Sequence, residues 1–328
     1  MSSAIKDILY QGFARWLNVA VLANQIYPVK PFFLLFNRDD HNGDTDHNDP
    51  NDPNDRNDRN DLNDLNHLNH RNDQNDHNDL NYLNHKQKEK TMRLIDKRVL
   101  VIGGSSGMGL AIADAADREG ASVIIAGRSE AKLKAACEKI GADVQRHPVD
   151  LTAAAAVKSL FSAVGPVDHL AIPGSAVKTG PFKELPLADA KSSMDSKFFG
   201  PYLAVKEAGI NPGGSVILFS GILSRRPDKG SPILAAVNSA VEALGKALAV
   251  ELAPIRVNVI SPGMTRDTGA YLGMPREARQ EMFANVARSL PVRRVGRPAD
   301  IASVAIELMT NSFITGAVID VDGGGLLS

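Results

Sequence analysis

The chain is predicted to be an α/β protein whose main domain is a doubly wound parallel sheet with helices on both faces. Three observations favour this class. From about residue 95, short apolar runs alternate with helical segments, the pattern typical of βαβ units. The apolar runs are continuous, as in parallel strands that are buried on both faces. A glycine-rich segment joins the first run to the first helix, which is where such domains hold phosphate groups.

Seven buried runs supply the strands of one sheet. They lie at residues 98–104, 122–128, 143–151, 168–175, 214–221, 256–263 and 316–325. The first helix, 109–120, closes at Gly120, and the second, 129–141, has Ser129 as its predicted N-cap and Gly141 after its end. A third helix covers 153–165, further helices lie between the later strands, and 264–291 is a loop-helix insert.

The first 91 residues differ from this pattern. Residues 1–37 form an N-terminal segment of uncertain character, in which Lys6 and Arg15 stand among apolar residues. Residues 38–91 are an Asn/Asp-rich tract with a period of three, which we predict to be disordered because it has too little apolar surface to offset ordering entropy. The domain is therefore assigned to 92–328, and a native start at Met92 is a hypothesis that mass spectrometry of the N-terminus would decide.

Composition excludes several classes of function. The net charge of −1 argues against a nucleic-acid partner. The most apolar stretch outside the domain, 17–36, is interrupted by asparagines, prolines and a lysine, so we predict no membrane span. The single cysteine, Cys137, excludes an internal disulfide and fits a reducing compartment, so we predict a cytoplasmic protein. The histidines and aspartates of the 38–91 tract suggest metal binding, but the third position of the repeat varies freely, so we predict no metal site.

The segment VIGGSSGMGLAIA predicts a dinucleotide site of the Rossmann type. Its glycines allow a tight turn and a close approach of a pyrophosphate to amides at a helix N-terminus. It lies between a strong strand and a strong helix, the context that such a motif requires. The predicted cofactor-binding residues of this loop are Gly103, Gly104, Ser105, Ser106, Gly107, Met108 and Gly109.

The end of the second strand selects the cofactor. Sites that take NAD place an acidic residue there to hold the ribose hydroxyls, whereas this chain has Arg128. A guanidinium pairs with a 2′-phosphate, so we predict NADP(H); the alternative is that Arg128 is only a solvated loop residue. After the third strand, Asp150 is a candidate for the adenine ring, with Leu151 beside it.

Taken together, these residues resemble the short-chain dehydrogenase/reductase family over about 95–328. The glycine loop, Asp150, GSVILFS, ELAPIRVNVISPG, GRPADIA and TGAVIDVDGGG stand in the family's order. The resemblance implies that the Pro-Gly turn and the threonines after it close over the nicotinamide: Pro262, Gly263, Thr265 and Thr268. It also implies a small-molecule substrate, and a homodimer or homotetramer formed through two central helices, one of them 233–252.

The family's catalytic group is Asn, Ser, Tyr and Lys, and this chain departs from it. Ser220 is retained, but Leu234 stands at the tyrosine position, Asn238 at the lysine position and Lys197 where asparagine is expected. The lysine and asparagine look exchanged between facing helices. We therefore predict Ser220, Lys197 and Asn238 as the catalytic residues, with Lys197 reaching the cleft; the alternative is that Lys197 faces solvent or pairs with Asp195 or Glu184.

A second tyrosine-lysine pair, Tyr202 and Lys206, has the family's spacing but precedes the strand that bears Ser220. Because the family's pair follows that strand, we assign these two residues to ordinary helix packing.

Three functions remain open from the sequence. The first is an NADP(H)-dependent oxidoreductase with a non-standard active site, acting on a carbonyl, enone or imine. The second is an isomerase or cyclase of secondary metabolism that keeps NADP(H) but performs non-redox chemistry. The third is a catalytically inactive cofactor-binding protein. Absence of the tyrosine hurts ketone reduction most, since that reaction needs a proton for the developing alkoxide.

Overall fold

The computed structural model describes residues 92–271 and 273–328. The predicted segments 1–37 and 38–91 lie outside the described residues, so the division of the N-terminal part stays a prediction.

The described residues form seven strands with helices between them. The strands are β1 Arg98–Ile102, β2 Ser122–Gly127, β3 Gln145–Pro148, β4 Val167–Ala171, β5 Ile210–Phe219, β6 Arg256–Pro262 and β7 Val318–Val321. The α-helices are α1 Gly107–Arg118, α2 Glu130–Ile140, α3 Ala154–Val164, α4 Leu187–Met194, α5 Gly200–Glu207, α6 Pro232–Glu251, α7 Arg276–Ser289 and α8 Pro298–Thr310. All seven predicted strands are confirmed.

The strands form one sheet in the order β3-β2-β1-β4-β5-β6-β7, and every neighbouring pair is parallel. The strand order reverses between β1 and β4. In open parallel sheets the crevice beyond the carboxyl ends of the strands at such a point is where ligands bind. The fold prediction is confirmed, and the crevice lies where the glycine loop leaves β1.

The sheet separates two apolar cores because successive strand residues point to opposite faces. In β1, Val99 and Val101 belong to the core that includes α1 and α8, whereas Leu100 and Ile102 belong to the core on the other face. All four side chains are fully or almost fully buried. The continuous apolar runs of the sequence thus have their physical reason in burial on both sides.

The predicted ends of two elements can be compared with the structure. The Ser129 side chain accepts a hydrogen bond from the Lys132 amide (3.4 Å), which confirms it as the N-cap of α2. Strand β5 begins at Ile210, four residues before the predicted start at Gly214. The turn-like sequence Asn-Pro-Gly-Gly stays in the strand through a register shift against β4, with Gly213 at φ +80°.

A π-helical turn, Asp195–Phe199, joins α4 to α5 without a break in helical backbone. Such turns insert one residue into a helix, and they are frequent at functional sites. This one carries Lys197.

Among the described helices, α6 is long and apolar enough to cross a membrane by length and composition, with a mean hydropathy of 1.5. It packs on the sheet through Val237, Asn238, Val241 and Gly245, while only 22% of its apolar window is buried. The packing of α6 on the sheet explains its apolar composition. Most of its apolar window is not fully buried within the described residues.

Candidate active site

The glycine loop between β1 and α1 leaves no space for side chains at its first turn. Gly103 has φ +98°, and an ideal Cβ there would lie 2.6 Å from the Gly174 Cα, on the loop that follows β4. An ideal Cβ on Gly104 would lie 2.7 Å from the Ile125 side chain. The loop is therefore packed against β2 on one side and against the chain after β4 on the other, which fixes its amides beside the crevice.

The N-terminus of α1 faces the same crevice. Ser106 is the N-cap residue, and its side chain makes no capping hydrogen bond. The first amides of a helix have no partner within the helix, so those of α1 are suited to a pyrophosphate. Met108 contributes differently from the other predicted loop residues, since its side chain packs against the core.

Arg128 and Asp150 lie just beyond the carboxyl ends of β2 and β3, on the side of β1 away from β4. Arg128 follows β2 and is exposed, and the adjoining Gly127 is near Ser105, whose Oγ would lie 3.7 Å from an ideal Cβ there. Asp150 Oδ1 accepts hydrogen bonds from the Thr152 amide (2.9 Å) and hydroxyl (2.8 Å). These bonds, assisted by the Arg128 charge, lower the pKa of Asp150.

The chain after β6 closes over the glycine loop. The Thr265 hydroxyl donates to the Gly263 carbonyl (3.1 Å), and the Thr268 hydroxyl donates to the Thr265 carbonyl (3.3 Å). An ideal Cβ on Gly107 would lie 3.3 Å from the Thr268 Cα. The predicted turn from Pro262 to Thr268 is thus brought onto the start of α1, as expected for residues that enclose one ligand.

Leu151 packs closely against the start of α5. It is half-buried, and its Cβ would lie 2.8 Å from an ideal Cβ on Gly200, the first residue of α5. The residues predicted from sequence to bind the cofactor therefore lie at or beyond the carboxyl ends of β1, β2, β3 and β6 and at the start of α1, and the Met108 side chain packs against the core.

Lys197 is buried at the carboxyl end of β5. Its Nζ donates to the Ser220 carbonyl (3.2 Å), and only 9% of the residue is exposed. Burial alone lowers the pKa of Lys197 to about 8. Within residues 92–271 and 273–328, no carboxylate oxygen lies within 4.0 Å of this amine. The alternative placement of Lys197, in solvent or paired with Asp195 or Glu184, is therefore excluded.

Asn238 reaches the same strand end from α6. Its Nδ2 donates to the Gly221 carbonyl (3.2 Å), while its buried Oδ1 has no hydrogen-bond partner among the described residues. A buried polar atom without a partner is costly and calls for an explanation. Lys197 and Asn238, from facing helices, thus donate to the successive carbonyls of Ser220 and Gly221. The Asn238 Oδ1 atom remains an unused acceptor among the described residues.

Ser220, the third predicted catalytic residue, directs its hydroxyl toward α6. Its hydroxyl donates to Glu242 Oε1 (2.9 Å), on α6. The Ser224 hydroxyl donates to the same oxygen (2.6 Å). Glu242 was missed in the sequence, although it lies four residues after Asn238 and hence on the same face of the helix.

The tyrosine-lysine pair on α5 lies outside this site. Tyr202 is 41% exposed, and Lys206 is exposed as well. The assignment of these two residues to ordinary helix packing is not borne out within the described residues, because both side chains are exposed. Leu234 lies in the first turns of α6 and brings no acid or base to the strand end.

The fold, the glycine loop and the crevice define a dinucleotide-binding α/β protein. A family model described as enoyl-(acyl carrier protein) reductase matches residues 103–325. The short-chain dehydrogenase/reductase ATR9 of Stachybotrys chlorohalonatus is 32% identical over 249 residues, which cover 70% of this chain and 96% of that protein. This chain belongs to the short-chain dehydrogenase/reductase family, and the predicted resemblance is confirmed.

Two solved structures bear on the site. A small-chain dehydrogenase in complex with NADPH shares 36% identity and a TM-score of 0.62, over 71% of this chain and 99% of the other. MalC reductase/Diels-Alderase from Malbranchea aurantiaca shares 27% identity and a TM-score of 0.66, over 73% and 100%. The predicted nicotinamide cofactor, NADP(H), agrees with the first complex, and the family is one of oxidoreductases.

Proposed function

We propose that this chain is an NADP(H)-dependent oxidoreductase that reduces a small carbonyl, enone or imine and uses Lys197 as its acid. The observation that carries the proposal is a buried amine without an acidic partner among the described residues, held at the carboxyl end of β5. A lysine whose pKa is lowered to about 8 is matched to proton transfer near neutral pH.

The residues at the carboxyl ends of the strands suit the separate phosphate groups of this cofactor. The loop amides and the N-terminus of α1 would hold the pyrophosphate, and Arg128 would pair with the 2′-phosphate. Bound NADPH supplies a hydride. Lys197 would then transfer a proton to the oxygen of a reduced ketone or to the α-carbon of a reduced enone, becoming a neutral amine that is reprotonated from solvent. An iminium substrate needs no such proton, because its nitrogen already carries the charge.

A second function is favoured by one comparison and one residue. The relative MalC is described as a reductase/Diels-Alderase, and Leu234 puts an apolar side chain where the family has its acid. A cyclase that keeps NADP(H) would need apolar walls more than a proton donor, so this candidate deserves the same assay.

The assay follows NADPH absorbance with a panel of ketones, enones and cyclic imines, and mass spectrometry of every product. We expect oxidation of NADPH with a product two hydrogens heavier than its substrate. Conversion to an isomer with NADPH intact would replace the first function with the second. Binding of NADPH without conversion of any panel member would favour the inactive cofactor-binding protein.

Asn238 gives a prediction that needs no substrate. We infer that its unpartnered Oδ1 accepts a hydrogen bond from a hydroxyl of the nicotinamide-side ribose. Asn238→Leu removes this acceptor, and one lost hydrogen bond to a buried group should weaken NADPH binding by about 10-fold. Titration with adenosine 2′,5′-bisphosphate, which lacks that ribose, is the internal control and should be unaffected. An equal loss for both ligands, or none for NADPH, would contradict the assignment.

Two further proposals concern the whole protein. The exposed apolar surface of α6 supports a homodimer or homotetramer formed through the central helices. The single cysteine, which is buried and free, supports a reducing compartment such as the cytoplasm.

A further inference from the structure

Glu242 is a largely buried carboxylate on α6, and no part of the proposed reaction uses it. Its side chain is 13% exposed. One of its oxygens, Oε1, accepts hydrogen bonds from the Ser220 and Ser224 hydroxyls, and the Arg225 guanidinium lies 3.7 Å from the same oxygen. Arg225 in turn binds Asp320 and the Ser261 hydroxyl (3.0 Å). A carboxylate this buried requires such compensation, and here it is supplied almost entirely by the segment that follows β5.

The direction of the Ser220 hydrogen bond limits what Ser220 does. A serine hydroxyl has a single proton and two acceptor positions. With that proton committed to Glu242 at 2.9 Å, the oxygen can only accept on its other side. Ser220 is therefore poorly placed to donate to a substrate oxygen, and its contact with Glu242 points to a different role.

The two serines lie at either end of the segment whose carbonyls accept hydrogen bonds from Lys197 and Asn238. Ser220 and Ser224 are the two ends of a short segment that includes a 3₁₀ turn, Ile222–Ser224. Inside it, the Ser220 carbonyl accepts from Lys197 and the Gly221 carbonyl accepts from Asn238, each at 3.2 Å. Holding both ends of the segment on α6 fixes the orientation of these two carbonyls.

We propose that Glu242 is a positioning residue: through the Ser220 and Ser224 hydroxyls it fixes the Ser220 and Gly221 carbonyls, which in turn set the positions of Lys197 and Asn238. This inference rests on the proposed function for its link to the cofactor. In this inference Ser220 helps to position Lys197 and Asn238, and its hydroxyl does not contact the substrate.

A double-mutant cycle on NADPH affinity tests the proposal. Glu242→Ala should weaken NADPH binding by about 5- to 10-fold, because Asn238 loses its fixed partner, and should leave adenosine 2′,5′-bisphosphate binding unchanged. Glu242→Gln, whose amide oxygen still accepts, should restore affinity to within about twofold. As a single variant, Ser220→Ala should weaken NADPH binding, but it should cause no further loss when it is combined with Glu242→Ala. Glu251→Ala, at an exposed position of the same helix, is the matched control and should behave as the native protein.

Two results would overturn the inference. One is an undiminished effect of Ser220→Ala in the Glu242→Ala background, since Ser220 would then contact the ligand itself. The other is NADPH affinity that is unchanged in Glu242→Ala.

A measurement without cofactor separates this inference from the proposed function. The amides of Ser224, Arg225 and Arg226 donate to carbonyls within the segment, and Glu242→Ala should accelerate their hydrogen–deuterium exchange by about 10-fold or more. Unchanged exchange would overturn the role of Glu242 even if NADPH binds. If the native protein binds neither nucleotide while exchange is faster in the variant, the proposed function is rejected and the positioning role of Glu242 stands.

Discussion

Lys197→Met should lower the turnover of a ketone or enone by about 100-fold or more and, at the same time, make the protein more stable. Methionine matches the length and volume of lysine but carries no proton and no charge. Loss of a general acid costs about 100-fold or more in rate. Burial disfavours the charged amine, which lowers its pKa from 10.5 to about 8, so removing it relieves a cost of order 3 kcal/mol at neutral pH.

The pH dependence has a definite sign. The unfolded chain binds a proton at this lysine up to about pH 10.5, and the folded chain only up to about pH 8. The stability of the native protein should therefore rise between these values, and the advantage of the variant should shrink over the same window. Turnover of the native enzyme should fall above about pH 8, because the amine is then no longer an acid.

Thermal melting between pH 7 and 10 and steady-state rates decide this prediction together. Lys158→Met, at an exposed position on α3, is the matched control and should leave both unchanged. A variant that melts lower and has lost activity would only show damage to the fold. A variant that still reduces a ketone or enone at the native rate would remove Lys197 from the mechanism.

Arg128→Asp should invert the choice between the two nicotinamide cofactors. A hydrogen-bonded ion pair with a phosphate contributes about 1.5–3 kcal/mol, so NADPH affinity should fall by roughly 10- to 150-fold. The new carboxylate should also repel the 2′-phosphate, and it supplies the acceptor that NAD sites use for the ribose hydroxyls. NADH affinity should therefore rise.

Fluorescence titrations with NADPH and NADH measure both affinities. Arg118→Asp is the control, because Arg118 is paired with Asp114 at the far end of α1, about 16 Å along the helix from the loop. Unchanged preference in Arg128→Asp would show that Arg128 is only a solvated residue and that the selectivity for the 2′-phosphate lies elsewhere.

The parts of the site that the sequence predicts well are those that depend on backbone shape. The glycine loop must be glycine-rich because the chain after β4 and strand β2 leave no room for a Cβ at Gly103 and Gly104. Such steric demands act on residue type directly, so they are visible in the letters of the sequence. The same holds for the strands, whose burial on both faces requires uninterrupted apolar runs.

The catalytic prediction depended on side-chain direction, and there the sequence was less informative. It placed Lys197 and Asn238 on facing helices but left open whether Lys197 reaches the cleft. The π-helical turn that carries Lys197 has no recognisable signature in DSKFF, and the direction of the Ser220 hydroxyl depends on Glu242, 22 residues away. Contacts of this kind are set by how helices pack, which local pattern does not encode.

The sequence by itself determined the fold class, and it predicted the dinucleotide crevice, the preference for NADP(H) and the absence of the family's tyrosine-lysine pair. Only the tertiary structure decided that Lys197 is buried without an acidic partner among the described residues, that Asn238 keeps a free acceptor, and that the Ser220 hydroxyl donates a hydrogen bond to Glu242. The physical reason is that backbone space and burial constrain each residue locally, whereas the partner of a buried polar group is chosen by segments that meet only in the folded chain.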